Sequence, residues 1–345
     1  MPATVMLSPR LQAVFKSTKI LCFGRYAVEV PQEAQLIFGE TVLRSRVKTI
    51  LAGPKGAIEH LAKRIPELTQ KHGSAEVMYA GAGALQNTLQ LRYFESKWAK
   101  KDRTLFFETY VSSDDVTFLF GDATEDGETE DVVIARQLER AKSVRLRTPE
   151  EVPAEPGLCI ERGFLATNSY GEQEMASAGV FLPSFPDVTF SFSSNKDAYS
   201  DYPKADFEKM KRDELHLLSR IKGAQELQGT LYPKREVLRE GKRDVQHWDG
   251  EESLIRRPDG SHDFEWAFVG TPKDVTKPSE LGVTMFSKVE HNMVGAAKKA
   301  SVSDDEAVAL WDKMLSGLKF RYRVPGVPET SYFLPPSKAK TENPQ

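Results

Sequence analysis

The segment SDDEAVALWDKMLSGLKFRYR, Ser303 to Arg323, decides how the rest of the chain is read. Ser303 followed by Glu306 is a capping box: the serine hydroxyl accepts from the Glu306 N–H, and the Glu306 carboxylate accepts from the Ser303 N–H. Asp304 and Asp305 add negative charge to the first turn, where the helix dipole favours it. Ala307, Leu310, Trp311, Met314, Leu315 and Leu318 then recur at steps of three and four, the spacing of one helix face turned toward a core. The helix passes into Leu318-Lys319-Phe320-Arg321-Tyr322-Arg323, where apolar and basic residues alternate. Thr129-Glu130-Asp131 opens a similar helix earlier in the chain, with Ile134, Leu138 and Ala141 on one face, and it ends in Val144-Arg145-Leu146-Arg147. The parallel predicts two domains of related design, each closed by a helix packed on a sheet.

The composition suits that plan. A chain of 345 residues, 40% hydrophobic and 28% charged, has material for two ordinary globular domains. A net charge of −3 gives no broad attraction to a phosphate backbone or an anionic lipid, so nucleic acid is not an expected partner. The longest apolar run near the N-terminus, Ile20-Leu21-Cys22-Phe23, falls short of the roughly 7–15 residues of a signal-peptide core. No stretch reaches the roughly 18 apolar residues of a membrane span. As written, the chain reads as soluble and cytoplasmic. Two cysteines cannot build a disulfide framework or a four-thiolate zinc site. Cys22 and Cys159 open the two halves, either as two buried thiols acting as small apolar residues or as one bridge between the halves, which needs an oxidising compartment.

Along the chain, residues 1–18 read as a flexible arm. Strand-like stretches at Ile20–Val30 and Leu36–Val47 precede a helix that starts at Pro54, carries Ile58, Leu61, Ala62, Ile65 and Leu68 inward, and is kinked or shortened by Pro66. Strands follow at Glu76–Ala80, Leu89–Phe94, Leu105–Val111 and Val116–Phe120. Gly81-Ala82-Gly83-Ala84 lacks the spacing and the Lys-Ser/Thr ending of a phosphate loop and reads as a turn. Pro149–Gly157, rich in proline and glutamate, is the linker. Alternating strands around Val188–Phe192 and Phe264–Phe268 and a charged helix over Asp206–Lys222 fill the second half, and the Pro-rich residues 326–345 read as a disordered tail. Strands followed by a helix in each half predict an α+β fold: two domains of similar design, 19–148 and 158–325, each a largely antiparallel sheet with packed helices.

Catalytic signatures are missing. The chain carries neither G-x-S-x-G nor H-E-x-x-H, and it has no kinase or P-loop pattern. His247 with Asp249, or His262 with Asp263, could pair as base and orienter, but each lies in a polar turn where it needs no special role. The reading is a non-enzyme without cofactor or metal; a hydrolase of unfamiliar signature and an envelope-associated binding module are the alternatives. Between Arg103 and Arg136 there is no Lys or Arg, while Asp122, Glu125, Asp126, Glu128, Glu130 and Asp131 accumulate. Such a run is either a solvated loop and helix start or an acidic docking surface for a basic partner.

Cys22-Phe23-Gly24-Arg25-Tyr26-Ala27-Val28-Glu29-Val30-Pro31 resembles the opening of the immunity proteins that protect bacteria from their own type VI secretion phospholipase effectors, specifically the class-four family with N- and C-terminal domains. The resemblance continues through Gly157–Phe164, Pro186–Phe190, Phe264-Glu265-Trp266 and Leu310-Trp311-Asp312, and covers roughly residues 19 to 325. It implies a protein without catalysis of its own, whose two domains grip a secreted phospholipase and keep its active site shut. The resemblance also implies a periplasmic location, in which a Cys22–Cys159 disulfide could form, although no export signal is visible. The acidic residues from Asp122 to Asp131 are the expected contact surface.

Overall fold

The structure, a computed structural model, describes residues 6–288 and 299–333. In chain order, a short helix α1 (Pro9–Val14) and the hairpin β1 (Thr18–Phe23) and β2 (Tyr26–Pro31) lead into β3 (Gln35–Leu43), β4 (Ser45–Ile50) and helix α2 (Pro54–His72). Then come β5 (Glu76–Ala82), β6 (Thr88–Phe94), α3 (Lys97–Lys101), β7 (Phe106–Ser113), β8 (Val116–Ala123), α4 (Glu130–Ser143) and β9 (Val144–Leu146). The second half opens with the hairpin β10 (Gly157–Ile160) and β11 (Gly163–Ala166), followed by β12 (Glu174–Phe181), β13 (Val188–Asn195), α5 (Lys204–Met210) and α6 (Leu217–Gln228). It closes with β14 (Glu236–Val245), β15 (Trp248–Arg256), β16 (His262–Phe268), β17 (Glu280–Ser287), α7 (Asp304–Ser316) and β18 (Leu318–Phe320).

The halves repeat one plan. The strands of the first follow the order β5-β6-β7-β8-β4-β3 and those of the second β14-β15-β16-β17-β13-β12, the same permutation. The pairings within both sets are antiparallel. Even the outermost strands begin alike, Glu76-Val77-Met78 and Glu236-Val237-Leu238, each with a bulge at its third residue.

Two compact units result, and their boundaries are not sequential. The larger takes the chain through Gly39, Val152–Pro156 and Glu174 onward; the smaller takes Glu40–Glu151 and Gly157–Gln173. The halves exchange their opening hairpins. β2 pairs with β18, the last strand of the second half, and β11 pairs with β9, the last strand of the first. The exchange runs across the expected linker at 149–157, and nothing in a local hairpin sequence says which closing strand it will join. The linker itself is divided and held by two arginines at matching places in the repeat. Arg147, just after β9, donates to the carbonyls of Glu151 (2.9 Å), Thr148 (3.1 Å) and Gly163 (3.3 Å). Arg321, just after β18, donates to the carbonyls of Pro153 and Glu155. Both guanidiniums are buried, where backbone carbonyls satisfy donors that would otherwise be costly to desolvate.

Helix α7 forms as its sequence requires, with both bonds of the Ser303–Glu306 capping box present and Ala307, Leu310, Trp311, Met314 and Leu315 buried. Helix α4 differs. Its buried face is Val133, Gln137, Arg140 and Ala141, one step round from the expected Ile134 and Leu138, which are only partly covered. The core of the smaller unit lies under it, around Val47, Val111, Phe118, Phe120, Ile160 and Leu165. In the larger unit, Tyr26 stacks on Phe320 (ring centroids 5.0 Å apart) and Trp248 meets Phe320 at 5.3 Å, so aromatic packing joins the exchanged hairpin to the closing strand.

Other expectations are corrected. Helix α2 runs through Pro66 to His72 and stops at Gly73, whose φ of 58° suits a residue without a side chain. Ala57 faces inward on it while Ile58 is 58% exposed. The helix expected over Asp206–Lys222 is broken at His216, whose extended backbone ends a π-helical turn and starts α6. The arm contains α1, capped by Ser8 and anchored by the buried Leu11. Of the expected disordered tail, residues up to 333 are described and ordered: Tyr332 is buried and bridges to Phe320. Residues 334–345 lie outside the described ones.

Candidate functional site

The acidic stretch is built into the smaller unit by a tight turn. β3 and β4 are joined through Arg44 alone, held at φ 61°, a left-handed conformation that a non-glycine side chain adopts at some cost. That turn sends the Arg44 guanidinium among the carboxylates of Asp122 (3.2 Å), Glu125, Glu172 (3.7 Å) and Glu128 (3.9 Å). Arg136, projecting from α4, pairs with Asp122 and Glu128, each at 2.8 Å. Gln137 Nε2 donates to Asp122 at 2.9 Å, as does the Ala123 N–H. Burial by itself would raise the Asp122 carboxyl, but the bonds from Arg136, Gln137 and Ala123 outweigh it and hold the group below the usual carboxylate range. Bonds from Arg136 and the Glu125 N–H take Glu128 down to about 2.

The six predicted acidic residues therefore divide. Asp122 and Glu128 are bound within the unit, and Glu130 pairs with Arg92. Glu125 pairs with Arg44 but keeps an exposed carboxylate, and Asp126 and Asp131 face solvent. Sequence reasoning missed Arg44, Arg136, Gln137 and Arg140, the residues that organise the cluster. The signal was available in the repeat: aligning Thr129 with Ser303 puts Arg136, Gln137 and Arg140 where α7 has Leu310, Trp311 and Met314. Polar residues at three core-facing positions require polar partners; Arg136 and Gln137 bond Asp122, and its charge also acts on Arg140.

Neither histidine pair forms. In a strand successive side chains point to opposite faces, so Asp263 turns away from His262 and pairs with Arg257. His262 Nε2 instead lies 2.9 Å from Asp304 Oδ1, and its Nδ1 lies 3.1 Å from Ser287 Oγ. This resembles a Ser-His-Asp triad in composition, yet Ser287 is 0% and His262 1% exposed, and Ser287 Oγ already accepts from the His262 N–H at 2.7 Å. An ester cannot reach that serine; the three groups tie the start of α7 to the sheet. His247 donates through Nε2 to the Thr276 carbonyl (2.9 Å) beside Trp248, and burial keeps its imidazole below the usual range and neutral. Asp249, its expected orienter, is exposed and near Lys277 instead. Among the described residues no cluster of three or more His, Cys, Asp or Glu could hold a metal ion, and no helix is long and apolar enough to cross a membrane. Cys22 on β1 and Cys159 on β10 are buried, and neither is a free thiol.

The chain is thus an α+β protein of two units with duplicated sheets, the smaller of which carries an ordered acidic cluster. Family models identify which kind: Tle cognate immunity protein 4, N-terminal domain, matches residues 19–147, and Tle cognate immunity protein 4, C-terminal domain, matches residues 151–323. The chain belongs to this family. The apo immunity protein TplEi of the type VI secretion system of Pseudomonas aeruginosa is similar at 24% identity and a TM-score of 0.65, over 88% of this chain and 97% of that one. TplEi complexed with an "L" peptide is similar at 23% identity and a TM-score of 0.63, over 88% and 98%. A chain of the Tle4–Tli4 complex reaches a TM-score of 0.66 at 24% identity, over 88% and 98%. At these identities the likeness is one of fold. No curated protein sequence matches the chain.

Proposed function

We infer that this chain binds and inhibits a cognate type VI phospholipase effector, its two units gripping the enzyme and blocking the active site. The observation that carries the reading is the match of both family domains, in order, along nearly the whole described chain. Two linked contacts support each other, since the second forms at high effective concentration once the first is made. Within the acidic stretch, Asp122 and Glu128 shape the loop, and Glu125, Asp126, Glu130 and Asp131 present charge that steers a basic effector surface. Mixing the chain with its cognate effector yields a complex that co-elutes, and Asp126→Lys with Asp131→Lys slows its association and flattens the salt dependence. Failure to co-elute at micromolar concentration contradicts the inhibitor reading; an unchanged association rate contradicts the steering role alone.

We infer a periplasmic location for this chain, because an effector that acts on lipid from the periplasmic side has to be met there by its inhibitor. There Cys22 and Cys159 join as one disulfide, a reading supported by their burial and by the matching places they occupy in the two opening hairpins. A loop of this length contributes about 3–5 kcal/mol in the chain-entropy account. Mass spectrometry of unreduced protein from the periplasm should find no alkylatable thiol, and reductant should lower the melting temperature. Two alkylated cysteines would reject the bond.

A further inference from the structure

The two halves carry the same outermost strand with opposite surface chemistry. A free strand edge is a row of unpaired N–H and C=O groups that accepts another strand, and proteins commonly close such edges with charge. β14 follows that rule: after its bulge come Arg239, Glu240, Lys242, Arg243 and Asp244. β5, at the equivalent place and after the equivalent bulge, reads Tyr79-Ala80-Gly81-Ala82 and carries no charge there. Among the described residues β5 is hydrogen-bonded as a strand to β6 alone. Its ladder is regular from Tyr79↔Arg92 to Ala82↔Leu89, which leaves the outer edge straight enough to extend the sheet. Ala80 and Ala82 are exposed and small, and Gly81 has no side chain, so the Tyr79 ring that lies against Gly81 is the group an incoming strand has to displace. Only one acceptor is engaged locally, the Ala82 carbonyl, by Tyr79 Oη at 2.6 Å.

Anchors for a partner stand at the start of this edge. Met78 is 54% exposed and Trp98 is 71% exposed, unusual for side chains of this size and polarity. The Lys100–Glu76 ion pair at 2.6 Å holds α3, with Trp98, beside the beginning of β5. Lys97 and Lys101 on that helix and Arg103 just after it add positive charge beside the paired Lys100, with Glu95 and Asp102 as the flanking acids in sequence, which favours a carboxylate on whatever docks there.

We propose that the outer edge of β5, Tyr79–Ala82, is a strand-addition site for an extended segment of the effector, one that runs small or apolar residues along the edge and brings an acidic residue to the lysines of α3. Main-chain bonds supply the pairing, and Met78 and Trp98 supply the apolar contact. This proposal rests on the immunity reading above. The test is hydrogen exchange on the full chain, alone and with the cognate effector, alongside the variant Ala80→Glu/Ala82→Lys, which gives β5 the charges that β14 carries at Glu240 and Lys242. The expected result is exchange slowed by about tenfold or more in Tyr79–Ala82 on complex formation, and effector binding weakened by about tenfold or more in the variant at unchanged melting temperature. A complex that forms without added protection in β5 overturns the proposal and leaves the inhibitor reading standing. Protection that instead rises with the concentration of the chain alone assigns the edge to a second copy and also overturns it. No complex at all contradicts the inhibitor reading and removes the proposal with it.

Discussion

Replacing Trp311 with alanine is expected to destabilise the larger unit by about 3–5 kcal/mol, the usual cost of emptying a large buried aromatic site. Trp311 is fully buried, its ring meets Phe264 edge-on at 5.9 Å, and its Nε1 donates to Glu252 at 3.1 Å. That bond matters because Glu252 is itself buried in a network with Arg239 (2.7 Å), which in turn binds Asp312 on α7 (2.6 Å). Truncation therefore opens a cavity and also strips a hydrogen bond from a buried carboxylate. Trp311→Phe restores most of the volume but not the donor, so it should lose about 1–3 kcal/mol. Urea unfolding followed by circular dichroism measures both; a loss below about 1 kcal/mol for the alanine variant would contradict this packing account.

Arg136→Met is expected to cost the smaller unit about 2–4 kcal/mol, because it leaves the buried Asp122 carboxylate short of its strongest partner. Arg44, Gln137 and the Ala123 N–H still contact Asp122, which keeps the loss below that of a fully orphaned charge. Adding Asp122→Asn should recover part of the loss. For comparison, the exposed Lys142–Glu139 pair on the same helix should contribute at most about 0.5 kcal/mol. The effect depends on pH with a definite sign. The Asp122 and Glu128 carboxyls are depressed in the folded state, so their contribution is complete above the unfolded value near about 4 and is lost as the pH falls through the folded values. The gap between the parent and Arg136→Met should narrow as the solution is acidified from neutral toward pH ~3. A gap that stays the same in acid would show that Arg136 acts through packing rather than charge.

The sequence made some elements plain and hid others for identifiable reasons. Helix α7 was legible because its cap, dipole charges and apolar spacing all agree, and each proves to be made. The likeness between its exit and that of α4 correctly pointed to two similar domains. The buried face of α4 was displaced because an apolar pattern cannot register Gln137 and Arg140 as inward residues; their burial depends on Asp122, which a different strand supplies. The helical period alone points Ile58 inward, whereas it is Ala57 that packs with Tyr110 and Leu119. The hairpin exchange is non-local by nature: β1 and β2 pair with each other from sequence, but their third strand lies at the far end of the chain. The acidic run was visible as composition, while its pairing with Arg44 required the one-residue turn between β3 and β4. The bare edge of β5 became meaningful only beside its charged counterpart β14.

The most direct test of the central claim is a titration of the cognate phospholipase effector with this chain, following turnover of a phospholipid substrate. The account predicts that activity falls to baseline at one chain per enzyme and that the chain alone releases no product. Full turnover in the presence of excess chain, under conditions where both proteins are folded, would contradict it.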